Sequence, residues 1–203
     1  MWAVAPVPLD IVRALAATSG EPPPTNAAAL VALFEEGGEA RVILTRRASE
    51  LGWHPGEVSF PGGWVEAGEG VVAAALREAY EEVGLDPSLV EVVGWLEPVS
   101  PRISAAVVTP VVGVLPSGRP VLRPDPREVE AVFDVPLSEL LSCCRSEWWN
   151  GRPMYFFDLT EDVVWGMTAR VLHALLLAVS RRTAPPASGR VATPDGTRPP
   201  APA

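Results

Sequence analysis

Glu69, Glu78, Glu81 and Glu82 crowd four carboxylates around one cation, Arg77. Like charges at helical spacing repel, and one Arg77–Glu81 pair four residues apart offsets only one of them. Oxygen-only acidic clusters suit a hard divalent cation such as Mg²⁺ or Mn²⁺, with substrate phosphates completing the coordination. The plainer alternative is a solvated acidic helix face. Two features oppose it: a surface charge run normally mixes signs at every turn, and this one is delivered by a Gly-rich loop, "FPGGWVEAGEG" (60–70). Such a loop lets backbone approach a ligand closely.

The elements that must position these groups are legible around them. A helix is expected over roughly 70–83, closed by Gly84 in the left-handed position that ends many helices. On its wheel Val72, Ala75, Leu76, Ala79 and Val83 share the stripe expected to face the core, with Glu78, Glu81 and Glu82 on another side. Upstream, "AALVALFEE" and "ARVILTRR" flank a "GGE" turn and read as a strand hairpin. Residues 48–70 form a long Gly/Pro-punctuated loop of the kind that carries function. "PLDIVRALAA" (8–17) reads as a short helix and "EPPPTN" (21–26) as its breaker. Strands are expected in "VEVVGWLEPVS", "SAAVVTPVVGVLP", "REVEAVFDVPL" and "PMYFFDLT". "LSELLSCC" reads as a short helix with a Ser cap, and "VVWGMTARVLHALLLAVSRR" as an amphipathic helix. Interleaving without a regular βα repeat suggests a mixed sheet covered by helices, an α/β architecture. The expected division is 1–24, a helix and Pro-rich linker; 25–182, the domain; and 183–203, a disordered Pro-rich tail with too little apolar surface to offset chain entropy.

The chain has 203 residues and a net charge of −9, which argues against nucleic acid or an anionic membrane as partner. A small anionic substrate remains compatible, because a bound cation inverts the sign of a site. The two cysteines, Cys143 and Cys144, are adjacent and poorly placed to bridge each other, and no zinc spacing is present. With no basic n-region at the start and no apolar run long enough to span a bilayer, a soluble cytoplasmic protein is expected. No feature specifies an oligomeric state.

The acidic stretch resembles the Nudix box: Gly63, Glu69, Arg77, Glu78, Ala79, Glu81, Glu82, Gly84 and Leu85 meet its fixed positions, with Ala79 the smallest side chain for its aliphatic slot. The resemblance implies a Nudix fold, an α/β/α sandwich around a mixed β-sheet, and cleavage of a nucleoside diphosphate linked to another moiety. It implies Glu78 and Glu82 as principal metal ligands and Glu81 as a further ligand, direct or through water. Arg77 would orient the carboxylates, and Glu69 with the Gly62–Gly63 region would shape the loop. The cation would screen the diphosphate's charge and make a water a better nucleophile. For the general base, Glu81 and an acid of "DPREVE" (125–130) both remain open.

The preceding loop, "ILTRRASELGWHPGEVSFPGG" (43–63), is similar to the extra motif of coenzyme A pyrophosphatases in that family. Ile43, Leu44, Thr45, Arg47, Ala48, Gly56, Phe60, Pro61, Gly62 and Gly63 match it; Gly52 stands where the motif has Arg. This implies a substrate of coenzyme A or its thioesters, cleaved to 3′,5′-ADP and 4′-phosphopantetheine. Arg46 and Arg47 would hold phosphate as planar forks, with His54 near the same group. For Arg46 the competing role is an arginine snorkelling from a strand end; for His54, loop packing. Trp148 and Trp149 read equally as core or as the rim of a ligand groove. The loss of Arg at position 52 keeps other substrates in play, such as ADP-ribose, dinucleotides or nucleoside triphosphates. A non-catalytic nucleotide-sensing module is disfavoured because all four box carboxylates are kept.

Overall fold

The computed structural model describes residues 5–15, 21–50, 52, 55–100, 105–116 and 118–183. The expected hairpin is present: β1 (Ala27–Glu36) and β2 (Glu39–Arg47) pair antiparallel across Gly37 and Gly38. Both glycines have positive φ, 63° and 80°, the backbone that a two-residue turn needs to match strand twist.

The main sheet is mixed. Along its path lie β3 (Val58–Ser59), β2, β1, β6 (Val108–Leu115) and β5 (Glu91–Trp95), while β4 (Gly62–Trp64) pairs with β1 and β7 (Val129–Pro136) with β2. The β1–β6 pair is parallel; the others are antiparallel. β1 explains the layering. Ala27, Ala29, Val31 and Leu33 enter one hydrophobic cluster, whereas Ala28, Leu30, Ala32 and Phe34 enter the other. A strand buried on both faces reads as a continuous apolar run, which is how "AAALVALF" reads.

On the first face lie α1 (Leu9–Leu15), α3 (Leu137–Cys143) and α4 (Gly166–Thr183), through Val12, Leu140 and Leu172 among others; α2 (Val71–Val83) covers the second. The result is the expected helix/sheet/helix sandwich. α1 shares the domain's core: Val7, Leu9 and Val12 are buried, the Ala40 N–H donates to Val7 O at 2.7 Å, and Arg13 pairs with Glu91 at 2.9 Å. No helix among the described residues is long and apolar enough to cross a membrane. Of the tail expected over 183–203, Thr183 is the last residue of α4 and residues 184–203 lie outside the described residues.

Two local expectations need correction. The cap of α3 is Pro136, with no side-chain cap bond, and the Ser138 N–H instead donates to Glu39 Oε1 at 2.9 Å. The helix expected to include Cys144 stops one residue earlier. Cys144–Trp149 forms β8, an unanticipated strand in a second, three-stranded sheet with β9 (Arg152–Asp158) and β10 (Val163–Val164). Both cysteines are free, and burial pushes the Cys143 thiol up to about 11, so it is a poor nucleophile.

Candidate active site

Short strand β4 sets the floor of the site. It pairs antiparallel with β1, placing Gly63 beside Ala28 and Gly62 beside Ala29. A Cβ on Gly62 would sit 2.4 Å from Ala28 O, and one on Gly63 would sit 2.4 Å from the Glu78 carboxyl carbon. Gly62 is therefore demanded by the close approach of strand to strand, and Gly63 leaves the room that the Glu78 carboxylate occupies. Above them α2 ends at Gly84, with φ 67° and ψ 24°; the Gly84 N–H donates to Tyr80 O and the Leu85 N–H to Ala79 O. The Gly84 N–H to Tyr80 O bond, with Gly84 left-handed, is the closure of an αL cap.

The inward face of α2 differs from the expected stripe. Val71, Ala74, Ala75, Ala79, Glu82 and Val83 are buried, whereas Val72 and Leu76 are only half-buried. The helix is rolled toward β4, and the acids separate by depth. The side chain of Glu82 is 5% exposed, that of Glu78 16%, and that of Glu81 53%.

Arg77 joins them more extensively than one ion pair. Its Nε and Nη2 fork onto Glu69 at 3.0 and 3.1 Å; Nη1 donates to Glu78 at 2.9 Å and Glu81 at 3.0 Å; Nη2 also donates to Trp64 O at 2.9 Å. The planar guanidinium suits such a fork. Its partners raise the Arg77 pKa, and the Arg77 bond first, then the Glu66 N–H, lowers that of Glu69.

Glu82 has less compensation. One oxygen accepts from the Gly62 N–H at 3.1 Å, and the other lies 3.9 Å from Arg47 Nη1. Burial pushes its pKa up to about 7, with the charges of Glu78 and Glu128 adding to the shift. Burial also raises Glu78, against Arg77, with Glu81 and Glu128 contributing. The sequence marks Glu128 only as one acid within 125–130. Its neighbours there are engaged: Asp125 forks with Arg127, and Glu130 lies 3.7 Å from Arg46.

Adjacent strand residues point to opposite faces, and the two arginines follow that rule. Arg46 forks onto Asp162 at 3.0 and 2.6 Å, tying β2 to the turn before β10. Arg47 turns toward Glu82, past a bulge in the β2–β7 register. Its Nε is buried with no hydrogen-bond partner among the described residues. His54 lies outside the described residues. A Cβ on Gly52 would meet nothing within 4 Å among the described residues, and the residue has no positive φ.

The donor chemistry fits a hard cation. Glu78 and Glu82 are carboxylates one helical turn apart, and both resist ionisation where they stand. Among the described residues no three ligand-type side chains already converge as a cage; the Glu78 and Glu81 oxygens are held instead by Arg77.

Residues 23–156 match the NUDIX domain family. The chain is 45% identical over 179 residues to Nudix hydrolase 22, chloroplastic, of Arabidopsis thaliana, covering 81% of this chain and 58% of the relative. It is 39% identical over 155 residues to an uncharacterized Nudix hydrolase, NudL, of Enterobacter sp. (strain 638), covering 70% of this chain and 76% of that protein. Among solved structures, a Nudix hydrolase from M. smegmatis, RenU, aligns with a TM-score of 0.49 at 24% identity, over 58% of this chain and 73% of that one. The chain thus spans little more than half the length of its plant relative.

Proposed function

Because the chain belongs to the Nudix family, we propose that it hydrolyses the diphosphate bond of coenzyme A or its thioesters, giving 3′,5′-ADP and 4′-phosphopantetheine. The observation that carries this reading is Arg47. It occupies a position of the coenzyme A-type motif, stands beside the most buried carboxylate of the box, and keeps a buried Nε donor without a partner among the described residues. A buried donor without an acceptor is costly, and a phosphate oxygen would satisfy it.

Nudix hydrolases generally need a divalent metal ion. Here we assign Mg²⁺ or Mn²⁺ to Glu78 and Glu82, with Glu81 a further ligand, direct or through water. When bound, the cation screens the diphosphate's negative charge and favours ionisation of a water. The chain's own groups do the rest. Arg77 holds Glu69, Glu78 and Glu81 in fixed rotamers, so they need not be ordered when substrate arrives. The Gly62 N–H fixes one oxygen of Glu82. Arg47 orients a phosphate, while Arg46, committed to Asp162, positions the strand end and loop. Glu128 accepts the proton of the attacking water, and Glu81 is the alternative base. The water oxygen bonds to phosphorus as the bridging P–O bond breaks, and the bridging oxygen leaves on the other phosphate. We place this activity in the cytoplasm.

Gly52 favours a second reading. Where the coenzyme A-type motif has Arg, this chain has a glycine with no described residue near its Cβ position, which suits another nucleoside diphosphate derivative such as ADP-ribose. Steady-state kinetics on coenzyme A, dephospho-coenzyme A and ADP-ribose separates the two. The first reading predicts the highest kcat/KM for coenzyme A; a wide preference for ADP-ribose replaces it with the second.

A further inference from the structure

The three-stranded sheet ends on β8, and residues 145–149 of that strand are exposed. Trp148 and Trp149 are 79% and 60% exposed, a large apolar area to leave in water beside an open strand edge. The β8–β9 turn is Asn150–Gly151, both at positive φ, and Trp149 pairs with Arg152 across it. In such a two-residue hairpin the closing pair shares its hydrogen bonds. Trp149, Glu147 and Arg145 therefore direct their backbone groups at β9. Trp148, Ser146 and Cys144 direct theirs outward, and on that side β8 pairs with no other strand among the described residues.

We propose that the chain forms a two-fold dimer through β8, pairing antiparallel with β8 of a second copy in the register centred on Ser146. Outward-facing residues must meet outward-facing residues, which restricts the register to steps of two. Centring on Ser146 sets Ser146 opposite Ser146 and Cys144 opposite Trp148. On the other face it sets Arg145 opposite Glu147 twice, by symmetry. Centring on Arg145 opposes two arginines, and centring on Glu147 opposes two glutamates. Opposite charges directly across strands stabilise and like charges destabilise, so of these three registers charge complementarity favours the one centred on Ser146. Within the chain Arg145 already bonds Asp158 at 2.6 Å and pairs with Glu147, which holds both side chains on that face. The Ser146 register also brings the exposed Trp148 indole over Cys144, which packs against the core cluster. A β8 whose charges served only to repel other strands would gain nothing from this self-complementary spacing. The surface is isologous, as a closed dimer requires.

Sedimentation of the full chain across micromolar concentrations tests this. A species of twice the 21.6 kDa chain mass is expected. Arg145→Glu and Glu147→Arg should each weaken the dimer by about tenfold or more, and the double exchange should restore it. Ser146→Pro, which removes an outward N–H that β9 does not use, should give a monomer with an unchanged far-UV spectrum. A monomer at all concentrations overturns the proposal, as does a dimer indifferent to Ser146→Pro and to the single charge reversals.

Discussion

Gly63 and Glu78 touch so closely that a methyl group on the glycine would overlap the glutamate's carboxyl group. The loop and the helix are thus fitted to each other at the point where a cation would be held. The obstructing atoms belong to the end of a flexible side chain, so Gly63→Ala can be accommodated by moving Glu78. The expected result is a melting temperature within a few degrees of wild type and kcat lowered by roughly two orders of magnitude, since small misplacements are costly in catalysis. Gly62→Ala should behave differently. Its Cβ would strike Ala28 O and Ala29 Cα, which are backbone, and forced overpacking of this kind costs about 1–3 kcal/mol. Thermal denaturation of the two variants beside wild type checks the contrast.

Glu82 makes metal-free stability depend on pH. Its carboxyl moves from an ordinary value of 4.5 to about 7 in the folded chain, so the folded state holds its proton longer than the unfolded state. The penalty for burying the charge is absent below the unfolded value, grows between the two, and is complete above the folded one. In excess chelator, wild type should lose about 3 kcal/mol relative to Glu82→Gln as pH rises through this window. The glutamine keeps an acceptor for the Gly62 N–H. Denaturant melts at acidic and mildly alkaline pH measure the difference; parallel curves for the two proteins would contradict the assignment.

Arg46 and Arg47 should separate by type of defect. Arg46→Ala leaves the largely buried Asp162 without its fork, a loss of about 1–3 kcal/mol in stability. Arg47→Ala should leave stability nearly unchanged and raise KM for coenzyme A by about ten- to a hundredfold. Urea denaturation and steady-state kinetics on both variants give the two readouts.

Gly52→Arg should fold normally, because a side chain there meets no described residue and the position has no positive φ. If an arginine there reaches a substrate phosphate, KM for coenzyme A should fall about tenfold with kcat little changed. The measurement is the coenzyme A to ADP-ribose ratio of kcat/KM before and after the substitution.

Much of this arrangement was legible because its signals are local. The run "AAALVALF" before two glycines fixes the hairpin, and Gly84 fixes the end of α2. What could not be read depends on contacts distant in sequence. Glu82 is buried because β4 and β1 lie beneath the rolled helix; the wheel alone sets it beside Glu78 and Glu81. The partner of Arg46 is Asp162, 116 residues away, and the bulge at Arg47 has no sequence mark. β8 escaped because Arg145 and Glu147 interrupt its apolar pattern, as suits an exposed edge.

The proposed activity is a cation-dependent cleavage of coenzyme A or its thioesters that relies on Glu82. Mass-resolved product analysis of coenzyme A incubated with the full chain and Mg²⁺ or Mn²⁺, alongside Glu82→Gln, tests it most directly. Equimolar 3′,5′-ADP and 4′-phosphopantetheine from wild type, lost with chelator and reduced by orders of magnitude in Glu82→Gln, is the predicted result. Intact coenzyme A with wild type, or undiminished cleavage by Glu82→Gln, would contradict it.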